Sequence, residues 1–400
     1  MAGERSASGR RRNRHLTFAM AFVLPDEYEE LRASVRRLAD DGIAPNAAEA
    51  DELEQYPWKS WEAWRDGGFA GLAFPEAFGG QGAGLLAHAI AVEEVARACG
   101  SSSLFTFISK LGMTPVIRHG SAELQARYVP RVASGECQAS YCLSEVGAGS
   151  DVASMQARAV RDGDHYILNG RKFWITNAGV SDFYTVFAKT DPAAGHRGIS
   201  VFVVEKTFPG FSIGKLERKM GMRGSPTGEV MLDDCVVPAA NLIGDEGAGF
   251  AYAMGALDES RPIVGAQALG IAQAALELAT QYVQERRQFD QRIADFQGVQ
   301  FMLADMAVQV DAARALVYRA CALIDEGRGG TARASSTAKL FAGDTAMRVT
   351  TDCVQLLGGA GYTRDFPAER FMRDAKVTQI YEGTNQVQRV VIAKRLLGGD

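Results

Sequence analysis

Between residues 299 and 325 no glycine or proline interrupts the chain, and Leu303, Met306, Val310, Ala313 and Val317 recur every three or four residues. Only a helix gathers such a set on one face, and a long helix with an apolar stripe needs other helices against it. The same helical pattern holds from about residue 245 to the end. It is crowded with small residues (Ala272, Ala274, Ala275, Ala312, Ala313, Ala315) that let backbones approach closely. The first third is helical too. Tyr28, Leu31, Val35 and Leu38 share a face, with Asp26 placed to cap and Gly42 and Pro45 to stop the helix. A second apolar stretch, residues 86–98, follows the loop Gly79-Gly80-Gln81-Gly82. Near residue 135 the pattern changes. Tyr166 and Leu168 lead into Asn169-Gly170 and then Phe173-Trp174-Ile175, and Asn-Gly between two apolar runs predicts a hairpin turn there. Residues 183–188 and 199–205 read as further strands, rich in β-branched and aromatic side chains.

The expected fold is therefore mainly α with a central β-domain. Residues 20–135 form an N-terminal helical domain, 136–244 the β-domain and 245–400 a C-terminal helical bundle. Residues 1–19 carry Arg10, Arg11, Arg12 and Arg14 ahead of the apolar residues 16–24, a crude likeness of a leader, but Pro25-Asp26-Glu27 follows instead of a small-residue cleavage site. They read as a disordered basic extension, with Met20 as the physiological start.

Composition removes several function classes. The net charge of −5 leaves no footprint for nucleic acid. No run of 18 or more apolar residues offers a membrane span. The six cysteines and five histidines are scattered, without C-x-x-C or metal-ligand spacing, and buried thiols in a reducing compartment are the simplest reading. There is neither strand–GxGxxG–helix nor GxxxxGK[ST], which excludes Rossmann and P-loop nucleotide sites.

Other motifs remain. In YCLSEVGAGSD (141–151), bare peptide N–H groups around Gly147 and Gly149 with the Ser150 hydroxyl can hold phosphate oxygens, although most such loops are turns. In KFWITNA (172–178), Trp174 and Thr176 stand two apart on a strand and offer a stacking surface and a hydroxyl to a planar heterocycle; a lone Trp can equally fill a β-core. Arg286-Arg287-Gln288-Phe289, with Phe296-Gln297 after it, reads as helical, and paired arginines there are commonly a solvated face. QLLGGAGY (355–362) is a helix end with glycine where a C-cap needs it. In IYEGTNQ (380–386), Glu382 lies between an aromatic residue and a glycine just before a new helix. Apolar neighbours there would raise its pKa towards that of a general base.

In their order and separation these motifs, with PEAFGGQG (75–82), resemble the acyl-CoA dehydrogenase family over about residues 22–397. The resemblance implies a helical N-terminal domain, a β-barrel-like middle domain and a C-terminal four-helix bundle. It implies FAD lined by Tyr141, Leu143, Ser144, Gly149, Ser150, Trp174, Ile175 and Thr176, with Gly383, Thr384 and Gln386 as further contacts. It also implies that Arg286, Gln288, Phe296, Gln297, Gln355, Gly358 and Gly359 reach the FAD of a neighbouring subunit in a homotetramer or dimer. Ser150, Asp258, Arg261 and Glu382 would meet the acyl-CoA substrate, with Glu382 as the catalytic base. Some branches of the family carry the base at the position of Ser260 instead; a serine there leaves Glu382 in register and implies a short- or medium-chain type of site.

The implied reaction is α,β-desaturation of an acyl-CoA thioester. The Glu382 N–H and an FAD ribityl hydroxyl would polarise the carbonyl, and electrons would pass to an electron-transfer flavoprotein. An oxidase using oxygen, or a non-catalytic acyl-CoA- or flavin-binding protein, are the alternatives. The setting expected is bacterial cytoplasm, or mitochondrial matrix in a eukaryote. Ser144 stands where Thr is usual, Val146 where Pro is, and Asp290 where Gly is; the last is expected to weaken FAD affinity modestly.

Overall fold

A computed structural model describes residues 24–398. The proposed extension and the Met20 start lie outside the described residues. Helix α1 (Asp26–Leu38) begins with its predicted cap as the first helical residue; no side chain caps it, and Asp26, Glu27 and Glu29 act instead as negative charge in the first turn. Gly42 and Pro45 do not end the helical path. The chain continues through a wide turn (Ala39–Ile43) and a tight one (Ala44–Asn46) into α2 (Ala47–Leu53). Helices α3 (Trp58–Asp66), α4 (Gly84–Ala98), α5 (Gly100–His119) and α6 (Ala122–Ala133) complete this layer.

Strands β1 (Ala139–Cys142), β2 (Arg158–Asp162), β3 (His165–Thr176), β4 (Phe183–Lys189), β5 (Ile199–Glu205), β6 (Phe211–Leu216) and β7 (Thr227–Pro238) form one seven-stranded sheet in the order β1-β4-β2-β3-β7-β6, with β5 also paired to β4. The hairpin predicted at Asn169-Gly170 is absent. β3 runs straight through both residues, and the turn lies between β2 and β3, where Asp162 pairs with His165. Tertiary contacts claim the Asn-Gly pair. The Asn169 amide bonds the side chain and N–H of Asp234 on β7, each at 2.9 Å, and a Cβ on Gly170 would stand 2.7 Å from Ala157 Cα.

Register shifts mark two bulges between β3 and β7. Leu168 to Gly170 spans Cys235 to Leu232, which places an extra residue on β7. Lys172 to Ile175 spans Val230 to Gly228, which places one on β3. The second bulge re-aims Trp174.

Helix α7 (Gly249–Glu285) is the central helix, packed by α4, α8 (Gln297–Asp325) and α9 (Thr331–Leu357), with α10 (Gly359–Tyr362), α11 (Ala368–Val377) and α12 (Asn385–Leu396) closing the bundle. It is the one helix among the described residues long and apolar enough to cross a membrane, yet 72% of that apolar window is buried inside the protein. The predicted stripe on α8 faces this core: Met306, Val310, Ala313 and Val317 are buried and Leu303 packs at the edge. It is thus the intrachain helix–helix seam that the apolar stripe required.

The paired arginines are not helical. α7 ends at Glu285, Arg286 is already extended, and Arg287–Gln288 pairs with Gln291–Arg292 as a two-stranded hairpin (β8, β9). At its tip Phe289 and Asp290 have φ of 52° and 61°. Left-handed backbone at residue 290 is what glycine adopts freely, and Asp is among the few other residues that tolerate it. The sequence departure at Asp290 is thus first a matter of backbone conformation.

Candidate active site

Where the sheet meets α5, α7 and the segment before α12, a cleft of ≈ 190 Å³ opens. It gathers Tyr141, Leu143, Ser144, Gly149, Ser150, Trp174, Ile175, Thr176, Arg261, Glu382 and Gly383, residues scattered over most of the sequence. Asp258 is held by an ion pair with Arg261, one turn along α7. Thr384 caps α12, its hydroxyl accepting from the Val387 N–H at 3.2 Å. Arg286, Gln288, Phe296, Gln297, Gln355, Gly358, Gly359 and Gln386 do not line the cleft of their own chain, and all but the partly buried Phe296 are exposed.

The loop after β1 is pinned from below. Lys172, wholly buried, donates to the Glu145 carboxylate at 2.8 Å and to the Leu143 carbonyl at 3.1 Å. Glu145 also accepts from the N–H groups of Gln156 (2.6 Å) and Ala157 (3.0 Å). Burial opposes its charge, but Lys172 and the two N–H groups together hold the carboxyl below its ordinary pKa. The turn above is closed by hydrogen bonds between Glu145 and Ala148, so Gly147 and Gly149 project bare backbone into open space. Sequence reasoning missed Lys172 and Glu145 as partners. Their positions flanking two motifs were visible, their contact was not.

Trp174 has φ 57° and is 52% exposed, because the bulge turns it out of the sheet while Ile175 stays in the core. Trp174 and Thr176 both line the cleft, as their spacing of two predicts, and the bulge sets the face they present. An exposed indole, hydroxyls at Ser144, Ser150 and Thr176, and a glycine loop where an added Cβ at residue 147 or 149 would meet nothing within 4 Å suit a planar ring with a polar tail. They fit the expected flavin.

Glu382 sits opposite. Its backbone is left-handed (φ 53°), as is that of Gly383 (φ 89°), a conformation that costs a non-glycine residue about 1–3 kcal/mol and must be held by its surroundings. The clamps are visible. The fully buried Lys339 donates to the Gly383 carbonyl at 2.8 Å and to Asn385 at 3.0 Å. Gln388 donates to the Gly383 carbonyl at 2.9 Å, and the Tyr381 hydroxyl is held by Gln267. Ser260, the alternative position that the resemblance implied for a base, donates its hydroxyl to the Glu382 carboxylate. Burial lifts the Glu382 pKa to about 7, against the opposing pull of the Ser260 hydrogen bond, Lys339 and Arg261. Its own N–H makes no hydrogen bond among the described residues.

Two other carboxylates close to these segments are engaged elsewhere: Glu145 by Lys172, Glu259 by an ion pair with Arg118. Among the described residues no group of His, Cys, Asp and Glu could hold a metal ion.

Family models for the acyl-CoA dehydrogenase N-terminal, middle and C-terminal domains match residues 25–136, 140–235 and 247–397. The chain is 53% identical over 376 residues to a probable acyl-CoA dehydrogenase, FadE25, of Mycobacterium tuberculosis, covering 94% of this chain and 97% of that one. Among solved structures it superimposes on a chain described with the electron transferring flavoprotein of Acidaminococcus fermentans (TM-score 0.92, 44% identity, 94% and 99% covered). A glutaryl-CoA dehydrogenase of Mycobacterium smegmatis in complex with FADH2 is also similar (TM-score 0.89, 30% identity, 95% and 97% covered). The chain belongs to the acyl-CoA dehydrogenase family and is an enzyme with FAD as its cofactor.

Proposed function

We propose that the enzyme desaturates an acyl-CoA thioester to the trans-2-enoyl-CoA, with Glu382 removing the α-proton. The observation that carries this reading is a carboxylate at the floor of the cleft whose pKa burial has raised to about 7. A base is most effective when its pKa lies near the working pH, and a carboxylate at its ordinary value would be too weak. Ser260 orients the carboxylate, and the left-handed turn at Glu382 leaves the residue's own N–H free to donate to the thioester carbonyl as negative charge builds there. Tyr141, Leu143, Ser144, Gly149, Ser150, Trp174, Ile175, Thr176 and Gly383 line the flavin side of the cleft. Bound FAD supplies the hydride acceptor for the β-carbon. Arg261 and Asp258 border the substrate side.

Arg286, Gln288, Phe296, Gln297, Gln355, Gly358 and Gly359 lie along the α7–α8 connection and the end of α9. They serve the FAD of a second subunit in a homodimer or homotetramer, and an electron-transfer flavoprotein takes the electrons. The similarity to a chain described with such a flavoprotein supports that acceptor.

The test is Glu382→Gln, which keeps shape and removes basicity. Yellow FAD and acyl-CoA binding should persist, while anaerobic bleaching of the flavin by acyl-CoA slows by about 10²–10⁴-fold. Near-normal bleaching would remove Glu382 from the role.

A further inference from the structure

A second cavity, ≈ 300 Å³, lies beyond Ser260 from the flavin cleft. Ser260 is the hinge between the two: it lines this cavity and donates to Glu382 in the other. Helix α5 runs past both, with Ile108 on the flavin cleft and Phe107, Lys110 and Thr114 on the second cavity. A chain whose α-carbon meets Glu382 would have to pass this Ser260–Glu382 contact to end here.

An alkyl end would call for apolar walls throughout. Leu85, Phe107 and Ile263 provide them on one side, but the cavity is also lined by Lys110, His88, Thr114, Arg118, Glu259 and Asp325. Most of that charge is already satisfied. Arg118 pairs with Glu259, and Asp325 accepts from the N–H groups of Leu85 (2.7 Å) and Leu86 (2.9 Å), capping α4. Lys110 is different. Its ammonium reaches only the Thr114 hydroxyl, at 3.3 Å, and no carboxylate pairs with it among the described residues. Burial and the nearby Arg118 push its pKa down to about 8, as expected of a cation lacking a counter-charge.

His88 adds a second unmet group. It is 2% exposed, and its Nε2 is engaged with the Thr106 carbonyl at 3.0 Å, which fixes Nδ1 as an unprotonated acceptor; that Nδ1 has no partner. Burial pushes the His88 pKa down to about 4, so the ring is neutral. A largely desolvated ammonium without a counter-charge is costly unless a ligand oxygen or water completes it, and Lys110 brings one to this cavity.

Resting on the desaturase reading above, the geometry points to an acyl-CoA whose chain carries an oxygen function at its far end, received by Lys110. A carboxylate would accept from the Lys110 ammonium. A hydroxyl oxygen would accept from it in the same way.

The test uses full-length, FAD-loaded enzyme and thioesters of equal length: hexanoyl-CoA, 6-hydroxyhexanoyl-CoA and adipoyl-CoA, with octanoyl-CoA and suberoyl-CoA as a longer pair. At least one oxygen-ended thioester should exceed its methyl-ended partner in kcat/KM by about tenfold or more, the effect of a hydrogen bond to a charged group. The two six-carbon arms tell carboxylate from hydroxyl. Lys110→Met should collapse that ratio through KM, because Lys110 touches no reacting atom, and Lys110→Arg should keep part of it. Two results would overturn the inference: methyl-ended thioesters bleaching the flavin as well as or better than every oxygen-ended one, or a ratio unchanged in folded, yellow Lys110→Met. If no thioester bleaches the flavin, the desaturase reading itself falls and the tail site falls with it.

Discussion

Ser260→Ala isolates one contribution to the basicity of Glu382. The Ser260 hydroxyl donates to the carboxylate, and by favouring the charged form it holds the pKa below what burial alone would impose; with that bond present the value is about 7. A hydrogen bond to an ionised group contributes about 1.5–3 kcal/mol, and each pKa unit corresponds to about 1.4 kcal/mol. The hydroxyl can also serve the protonated acid as acceptor, so part of this cancels, and a rise of about one unit is expected. The sign follows from the role: the base works deprotonated, so raising its pKa moves the acid limb of the profile to higher pH. Near pH 7 the deprotonated fraction falls from about one half to about one tenth, and kcat/KM should drop about fivefold, recovering by about pH 9. The assay is anaerobic stopped-flow bleaching of the flavin from about pH 6 to about pH 10, with FAD content checked by absorbance. An acid limb that stays in place, or moves down, in a fully loaded variant would refute the link between Ser260 and the base.

Glu382→Gln should also change stability with pH. The folded pKa of Glu382 is raised from an ordinary 4.5 to about 7, so its stabilising contribution is complete below about pH 4.5 and is lost as pH rises through 7; the neutral variant should gain up to about 3 kcal/mol over wild type above pH 8, seen as a higher Tm of the FAD-loaded protein, and no gain would mean the carboxylate is not held in a desolvating site. Lys172→Met leaves Glu145 charged and without its cation beneath the glycine loop, and breaking such a pair costs about 3–5 kcal/mol; a large fall in Tm together with loss of FAD is expected, and a fully yellow protein of unchanged Tm would contradict it. Arg286→Ala should elute partly apo, with FAD restored by excess cofactor, if residue 286 serves a second subunit's phosphates, a contact of about 1.5–3 kcal/mol; full occupancy in an intact oligomer would show that this arginine is only a solvated face.

The three-part order of the fold was present in the sequence because it depends on local periodicity. The apolar stripe of α8, the change of pattern near residue 135 and the glycine at the end of α9 each act within a few residues of themselves. The residue proposed as base stood out for the same reason, since Tyr381-Glu382-Gly383 before a helix start is a local pattern; Ser260 as the alternative position came from the family resemblance. Local signals misled wherever a distant partner had the stronger claim. Asn169-Gly170 has the chemistry of a turn, yet Asp234 satisfies the amide and Ala157 requires the glycine, so the strand continues. The arginines at 286 and 287 carry a helical charge pattern but fall where α7 has ended and a hairpin begins. Trp174 meets the cleft only because one extra residue on β3, relative to β7, turns it outward. Lys172, Lys339 and Lys110 look alike in the sequence, three lysines among many. Burial decides that the first braces a loop, the second clamps the turn that carries Glu382 and the third stands without a counter-charge, because the cost of desolvating a charge depends on which atoms the folded chain brings to it.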